Sequence, residues 1–201
     1  MPRVSQEHLD ARRAQILAAA RTCFVRNGFH ATSMQDVFKE AGLSAGAFYR
    51  YFGSKAELIG AIAQSKIADV TSILDEVDTS DLPPLDELLG QLLLRIKAAN
   101  DADEFAKLVS QIWGEAIRSP EVAATLRANI GIAFDRLSRV AAAYQEAGVL
   151  RADVPAATIA RVLAAVNQGF MLQLTVLGDV DVDDYRAGLR GLLGEHVASD
   201  Q

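Results

Sequence analysis

The chain has 201 residues, 50% of them hydrophobic, and a formal net charge of −6 at pH 7. That hydrophobic share is enough for a sizeable core, in one domain or in two. A single cysteine, Cys23, excludes an internal disulfide framework and fits a reducing cytoplasm. The first twenty residues are polar and contain arginines, so we expect no signal peptide there.

The charge is unevenly distributed along the chain. Residues 1–66 carry nine Lys or Arg and five Asp or Glu, a net charge of +4, whereas residues 67–201 carry eleven and twenty-one, a net charge of −10. A basic half joined to an acidic half is typical of a nucleic-acid-binding head on an acidic body. Alternatively, uneven solvated faces give the same numbers by accident.

Apolar residues at helical spacing predict a first helix over residues 8–26, which an Asn-Gly pair at Gly28 ends. A second helix is predicted over 34–41. Ser33 stands in its cap position, and Asp36 follows three residues later at the spacing of a capping box. These signals set the start of the second helix.

Gly42 ends the second helix, and Ser44 caps a third run over 45–52. Ser54 caps a fourth run, with Glu57 at the spacing of another capping box. Two short helices joined by a glycine-containing turn are typical of a helix-turn-helix. The sequence therefore predicts this motif, with most of 45–52 on the exposed side of its second helix.

The segment from residue 28 to residue 58 strongly resembles the DNA-binding domain of the TetR family of bacterial transcriptional regulators, and the resemblance covers about residues 12–63. It joins many positions at fixed spacing, which are Gly28, Phe29, Thr32, Asp36, Val37, Ala41, Gly42, Ser44, Gly46, Tyr49, Tyr51, Phe52, Ser54, Lys55 and Leu58. Phe38 departs from the family, which more often carries alanine there. The resemblance implies a homodimer that binds a palindromic operator in double-stranded DNA, most commonly as a repressor.

Side-chain chemistry divides the predicted DNA contacts. Ala45, Gly46 and Ala47 have no hydrogen-bonding side chain, so we expect them to meet base edges through shape and thymine methyl groups. Arg50 is the candidate for a guanine or phosphate contact. The resemblance implies phosphate contacts for a further set, which consists of Thr32, Ser33, Ser44, Tyr49, Tyr51 and Lys55. Alternatively, the two tyrosines only pack, and the serines are helix caps in either case.

The fourth run continues as a connecting helix toward Val77, and Pro83 and Pro84 break the chain after it. Five further helices are predicted at 85–100, 103–118, 121–147, 156–177 and 182–198. No strand-like alternation is present, so the predicted fold is all-α with about nine helices in total. The predicted domains are an N-terminal three-helix helix-turn-helix domain at 1–54, a connecting helix at 55–80, and a larger helical ligand-binding and dimerisation domain at 81–201.

The helix predicted over 156–177 carries apolar residues on two faces. One stripe is assigned to the chain's own core and consists of Ile159, Val162, Leu163, Val166, Phe170, Leu174 and Leu177. A second stripe and part of the last helix are assigned to a dimer interface, which consists of Ala165, Gly169, Leu172, Val176, Tyr185, Leu189 and Leu192. With their symmetry mates these helices would form a four-helix interface, which is also how the resembled family dimerises. Alternatively, both stripes fill a monomeric core.

Residues 159–178 are the only stretch apolar enough to suggest a membrane span. Four polar residues interrupt it, which are Arg161, Asn167, Gln168 and Gln173. We therefore expect a buried helix and a cytoplasmic protein without a membrane partner.

The resemblance also implies that a small molecule enters the second domain and releases the DNA. The predicted pocket consists of Phe105, Ile112, Trp113, Phe134, Asn167, Phe170 and Met171. Such a lining suits a modest apolar or amphipathic effector of unknown identity. Alternatively, these side chains are ordinary core residues at helical spacing.

Several sequence features argue against an enzyme. The three histidines, His8, His30 and His196, are far apart and lack metal-ligand spacing. The sequence has no glycine-rich phosphate loop, nucleophile elbow or cysteine cluster, so we expect neither catalysis nor a metal or cofactor. The remaining alternative to a regulator is a helical scaffold or interaction protein that has lost DNA binding.

Overall fold

The computed structural model describes residues 6–178 and 180–193. Those residues form nine α-helices and no strand, which confirms the all-α fold class. In chain order the helices are Gln6–Ala31 (α1), Met34–Glu40 (α2), Ala45–Phe48 (α3), Lys55–Thr71 (α4), Leu85–Asp103 (α5), Phe105–Arg118 (α6), Pro120–Glu146 (α7), Ala156–Leu177 (α8) and Val182–Leu193 (α9). The last helix was predicted to reach residue 198, and residues 194–198 lie outside the described part.

The chain forms two compact units that interleave along the sequence. The first contains residues 1–66 and 107–129, and the second contains residues 67–106 and 130–201. The boundary between them therefore falls inside α4, α6 and α7. The functional division at residues 54 and 80 stays a prediction.

Aromatic side chains form much of the core of the first unit. Phe24, Phe48 and Phe52 are fully buried. The Phe24 ring lies 4.5 Å from the ring of Phe29, and the Phe48 ring lies 4.9 Å from the ring of Phe38. Removing this apolar surface from water joins α1, α2 and α3 into a three-helix head.

The first helix is longer than predicted and bends at Gly28. This glycine has φ 78 and ψ 166, a backbone conformation that residues other than glycine rarely adopt. Helical geometry resumes beyond it and continues to Ala31. The predicted helix end is therefore a bend followed by one further turn.

The fourth helix is shorter than predicted and ends at Thr71 instead of continuing toward Val77. A 3₁₀ turn at Ser72–Asp75 follows it. Arg136 of α7 donates to the Thr71 hydroxyl, and its guanidinium lies 2.8 Å from the Asp75 carboxylate. These contacts occupy polar groups at the point where the helix tightens, which favours the end of α4 there.

In the second unit α5 packs against α8 and α9. Leu93 of α5 and Phe170 of α8 are fully buried, and the Phe170 ring meets the Tyr185 ring of α9 edge-on at 5.1 Å. Gly90 allows the Arg186 side chain to cross α5, because an added Cβ would lie 2.3 Å from Arg186 Cδ. A small residue on α5 thus sets the approach of α9.

The start of α5 follows the proline pair, as predicted. Pro84 occupies its N-cap, and the Tyr144 hydroxyl donates to the Pro83 carbonyl at 2.6 Å. Burial, together with the negative charges of Asp86 and Glu87, raises the pKa of Tyr144 to about 12. The phenol therefore stays neutral and keeps its role as a donor.

Candidate nucleic-acid interface

Reciprocal hydrogen bonds between Ser33 and Asp36 define the start of α2. The Asp36 amide donates to Ser33 Oγ at 3.2 Å, and the Ser33 amide donates to the Asp36 carboxylate at 2.8 Å. The Ser33 hydroxyl also donates to that carboxylate at 2.7 Å, and these bonds hold the pKa of Asp36 below its ordinary value of 3.8. The predicted capping box is therefore confirmed.

The third helix is capped as predicted but is shorter. Ser44 Oγ accepts a hydrogen bond from the Ala47 amide at 3.3 Å, and α3 ends at Phe48 instead of continuing to Phe52. The Tyr51 amide donates to the Phe48 carbonyl at 2.9 Å, a bond that spans three residues. This tighter bond turns the chain out of α-helical geometry.

Residues 44–51 form an outward-facing surface that we call the recognition segment. Its exposed residues are Ser44, Ala45, Gly46, Tyr49 and Arg50, and its half-buried residues are Ala47 and Tyr51. Phe48 is its fully buried anchor. Arg50 makes no hydrogen bond or ion pair with the described part of the chain. Small residues and an uncommitted cation therefore lie side by side on the outside of the head.

Phe38 supports the recognition segment, a role that the sequence did not reveal. Its ring contacts the Tyr49 ring edge-on at 5.5 Å, in addition to its contact with Phe48. The Tyr49 ring thus packs on one side and stays exposed on the other. The bulkier residue at position 38 holds this tyrosine at the surface.

Thr32 does not offer its hydroxyl to DNA, which corrects the predicted phosphate contact. The residue is 1% exposed. Its Oγ1 lies 2.8 Å from the Gly28 carbonyl and 3.2 Å from the Cys23 carbonyl, and these two acceptors share its one hydrogen. The hydroxyl hydrogen is therefore used inside the chain.

Lys55 is held inward, unlike Arg50. Its ammonium group donates to the Phe29 carbonyl and is partly buried. Burial lowers the pKa of Lys55, and the negative charge of Glu115 opposes this effect. The ammonium group has three N–H donors, and this carbonyl uses one of them. The phosphate contact by Lys55 stays a prediction.

In the second unit α8 is buried on one face and exposed on the other. Its buried residues are Ala160, Leu163, Asn167, Phe170 and Leu174. The other face carries an apolar stripe of exposed or half-buried residues, which are Val162, Ala165, Gly169, Leu172 and Val176. We call this face the α8 stripe. Exposed apolar surface of this kind is typical of an interaction site.

Three residues are buried or exposed in the opposite sense to the one that the sequence predicted. Leu189 was assigned to the dimer interface and is 6% exposed, because it packs within its own chain. Val162 and Leu177 were assigned to the core and are exposed. Leu192 remains exposed and Tyr185 half-buried, so both stay available to a partner.

The predicted pocket residues fall in both units. Phe105, Phe134, Asn167, Phe170 and Met171 belong to the second unit. Ile112 and Trp113, by contrast, belong to the first unit, and Trp113 is partly exposed. A pocket within the second unit is therefore confined to the first five.

Within residues 6–178 and 180–193, no group of three or more His, Cys, Asp or Glu side chains lies close enough to hold a metal ion. His196 lies outside these residues. In the same residues α8 alone has the length and composition of a membrane span, a property that core helices of soluble proteins share.

Comparison with known proteins identifies both halves of the chain. The model of bacterial regulatory proteins of the tetR family matches residues 16–62, and that of the BetI-type transcriptional repressor C-terminal domain matches residues 85–198. The uncharacterized HTH-type transcriptional regulator YfiR of Bacillus subtilis is 32% identical over 176 residues, which are 85% of this chain and 83% of the relative.

Solved structures share the fold. GusR of Salmonella enterica superposes with a TM-score of 0.79 at 28% identity, covering 96% of this chain and 99% of that one. FadR of Bacillus subtilis, solved in complex with stearoyl-CoA, superposes with a TM-score of 0.73 over 90% of this chain and 96% of that one. Its identity is 16%, so this second likeness concerns the fold alone.

Proposed function

This chain belongs to the TetR family of bacterial transcriptional regulators, and on that premise we propose that it is a repressor that binds a palindromic operator as a homodimer. A small apolar or amphipathic molecule would release it from DNA. Members of the family are regulators and not enzymes. The observation that carries the proposal is the exposed recognition segment on its buried aromatic anchor.

The recognition segment would enter the major groove. Ala45, Gly46 and Ala47 let the backbone approach base edges closely, and the methyl groups of Ala45 and Ala47 suit the methyl group of thymine. Arg50 is exposed and makes no hydrogen bond or ion pair with the described residues, so its guanidinium would bond a guanine or a nearby phosphate. Sequence preference would then come from shape and from one arginine.

Hydroxyl groups around the segment would position the head on the phosphates. Ser33 and Ser44 are exposed at the starts of α2 and α3, and Tyr49 and Tyr51 lie at the end of the segment. Lys55 would join them through the N–H donors that the Phe29 carbonyl leaves unused. Such contacts set register and salt dependence and carry no sequence information.

The α8 stripe supports dimerisation. Leu172 and Val176 are large apolar side chains that their own chain leaves exposed, and Leu192 of α9 is exposed as well. Pairing two copies would bury this surface and bring two heads to one DNA molecule. A two-fold pair of heads matches a palindrome whose half-sites lie one or more helical turns apart.

The effector would bind within the second unit, among Phe105, Phe134, Asn167, Phe170 and Met171. This lining is mostly apolar with one amide, which suits an apolar or amphipathic molecule. FadR, which shares the fold, was solved with the amphipathic stearoyl-CoA, and only the chemical class is carried over to the present chain. The effector would act by binding the DNA-incompetent arrangement more tightly than the competent one.

The proposal is tested by fluorescence anisotropy with DNA that flanks the protein's own gene and with random DNA of equal length. We expect salt-dependent binding that is tighter on the flanking DNA. Arg50→Ala should reduce the preference for that DNA by about 10- to 100-fold, the usual discrimination of a good base contact.

Arg127→Ala is the matched control, because Arg127 is an exposed arginine of the first unit outside the recognition segment. It removes the same charge and should leave the sequence preference unchanged. Equal losses on both DNAs for Arg50→Ala would refute its role in readout. An intact dimer with no DNA binding would favour the scaffold alternative.

A further inference from the structure

Three buried side-chain atoms of the described residues lack a hydrogen-bond partner, namely Gln111 Oε1, Asn167 Oδ1 and Arg186 Nε. Gln111 and Arg186 are only half-buried as residues, and Arg186 uses another nitrogen to bind Asp183 at 3.3 Å. Asn167 differs from them because the whole residue is buried, with only 8% of its surface exposed. An unmatched acceptor in such a place is rare and calls for a physical reason.

Asn167 interrupts the buried face of α8. Ala160 and Leu163 precede it on this face, and Phe170 and Leu174 follow. Its Nδ2 donates to the Leu163 carbonyl at 3.1 Å. Because a carbonyl only accepts, this bond assigns the nitrogen and leaves Oδ1 as the unmatched atom.

The bond to Leu163 does not explain why an asparagine occupies this position. In an α-helix the Leu163 carbonyl already accepts the backbone amide four residues later, which is that of Asn167 itself. An apolar side chain would leave no group unsatisfied and would continue the buried face. The chain thus carries a side chain that lowers its own stability, as proteins do at functional positions.

We propose that Asn167 Oδ1 accepts a hydrogen bond from an O–H or N–H group of the effector, which is otherwise apolar. This inference rests on the effector binding proposed above and adds the ligand's chemistry. A carboxylate or an ester offers only acceptors and would leave Oδ1 unmatched. The effector class is therefore an apolar alcohol, phenol, amine or amide.

The first test compares melting temperatures without ligand. Asn129→Ala is the matched control, because Asn129 is also 8% exposed but donates to the Gly60 carbonyl of another helix at 2.9 Å. Asn167→Ala should melt no lower than the wild type and about 2–4 °C above Asn129→Ala, the shift expected for about one hydrogen bond in a chain of this size. Asn167→Leu is a second variant that keeps the volume filled. Loss of stability in both Asn167 variants to the level of Asn129→Ala would overturn the proposal.

The second test uses matched probes, octanol and naphthol, each paired with its own methyl ether. The alcohol and the phenol should bind the wild-type protein at least about 10-fold more tightly than the ethers, since the ethers leave a buried acceptor unpaired. Asn167→Leu should lose this preference. Equal binding of both members of each pair, or binding of neither, would contradict the proposal.

Operator binding by the wild type distinguishes a failure of the proposed function from a failure of the proposed role of Asn167. Failure of the wild type to bind DNA would refute the proposed function by itself. Normal DNA binding without the probe preference would refute only the role of Asn167.

Discussion

The recognition segment of the first unit and α8 of the second both leave side chains uncovered by their own chain, but with opposite chemistry. The segment presents hydroxyl groups, small residues and the guanidinium of Arg50, which has no partner within residues 6–178 and 180–193. The α8 stripe presents large apolar groups such as Leu172 and Val176. Polar groups without internal partners suit a charged, hydrated ligand, whereas apolar ones suit a protein partner. The comparison predicts that damage to each surface abolishes a different association.

The largest effect on association is expected for Leu172→Glu, which should prevent dimerisation. The substitution places two unpaired carboxylates in one symmetric interface, and each would cost about 3–5 kcal/mol. Analytical ultracentrifugation should show a monomer, and operator affinity should fall with it. Leu94→Glu on α5 is the control, because Leu94 is 52% exposed and Leu172 is 55% exposed. Equal dimerisation of the two variants would show that the α8 stripe is not the dimer interface.

A second prediction concerns Phe48→Ala, which removes the anchor of the recognition segment. Emptying a fully buried aromatic site should cost about 3–5 kcal/mol and abolish operator binding while the dimer persists. Phe170→Ala is equally buried in the second unit and should leave the amide NMR signals of residues 44–51 in place. Perturbation of those signals by both variants would mean that the two regions are not separable.

A third prediction uses the cap of α2. Ser33→Ala should cost about 1 kcal/mol at neutral pH, because it deletes the cap. The lowered pKa of Asp36 contributes stability above its ordinary value of 3.8, and this contribution disappears as the pH falls through the lowered value.

Thermal melting at neutral and acid pH should therefore show that the difference between Ser33→Ala and the wild type shrinks in acid. Ser44→Ala removes a cap that has no carboxylate partner, so its effect should not change with the pKa of Asp36. An acid-independent difference for Ser33→Ala would exclude the Asp36 bonds as its cause.

A fourth prediction concerns Tyr144→Phe, which should lower the free energy of unfolding by about 0.5–1.5 kcal/mol because the bond to the Pro83 carbonyl is lost. The raised pKa gives a contribution that is complete below the ordinary value of 10.0 and is lost as the pH rises toward about 12. Urea unfolding at rising pH should thus converge for variant and wild type. Tyr49→Phe, at the exposed segment, should not alter stability; a loss equal to that of Tyr144→Phe would contradict this contrast.

The two regions also differ in how well the sequence predicted them. The cap at Ser33 and the turn at Gly42 depend on neighbours within four residues, and both were predicted. The inward positions of Thr32 and Lys55 depend on the carbonyls of Cys23 and Phe29, which tertiary structure brings close. Local patterns do not contain this information.

For α8 the periodicity correctly predicted one buried and one exposed apolar face, but it misplaced residues at the boundary between them. Val162 and Leu177 were placed on the buried side, although both are exposed. Helical spacing gives the angle between residues, whereas the buried arc depends on where α5 and α9 lie. Leu189 was misplaced for the same reason. The unpaired Asn167 Oδ1 likewise could not be predicted from the sequence, because its lack of a hydrogen-bond partner depends on which side chains surround it in the fold.

The most direct test of the account is the stoichiometry and affinity of the protein on a palindromic duplex selected from random DNA, compared with a duplex that holds one half-site. The account predicts two protomers on the palindrome and binding to the half-site that is at least about 100-fold weaker, because the second head binds at high effective concentration. One protomer per duplex, or equal affinity for the two duplexes, would contradict it.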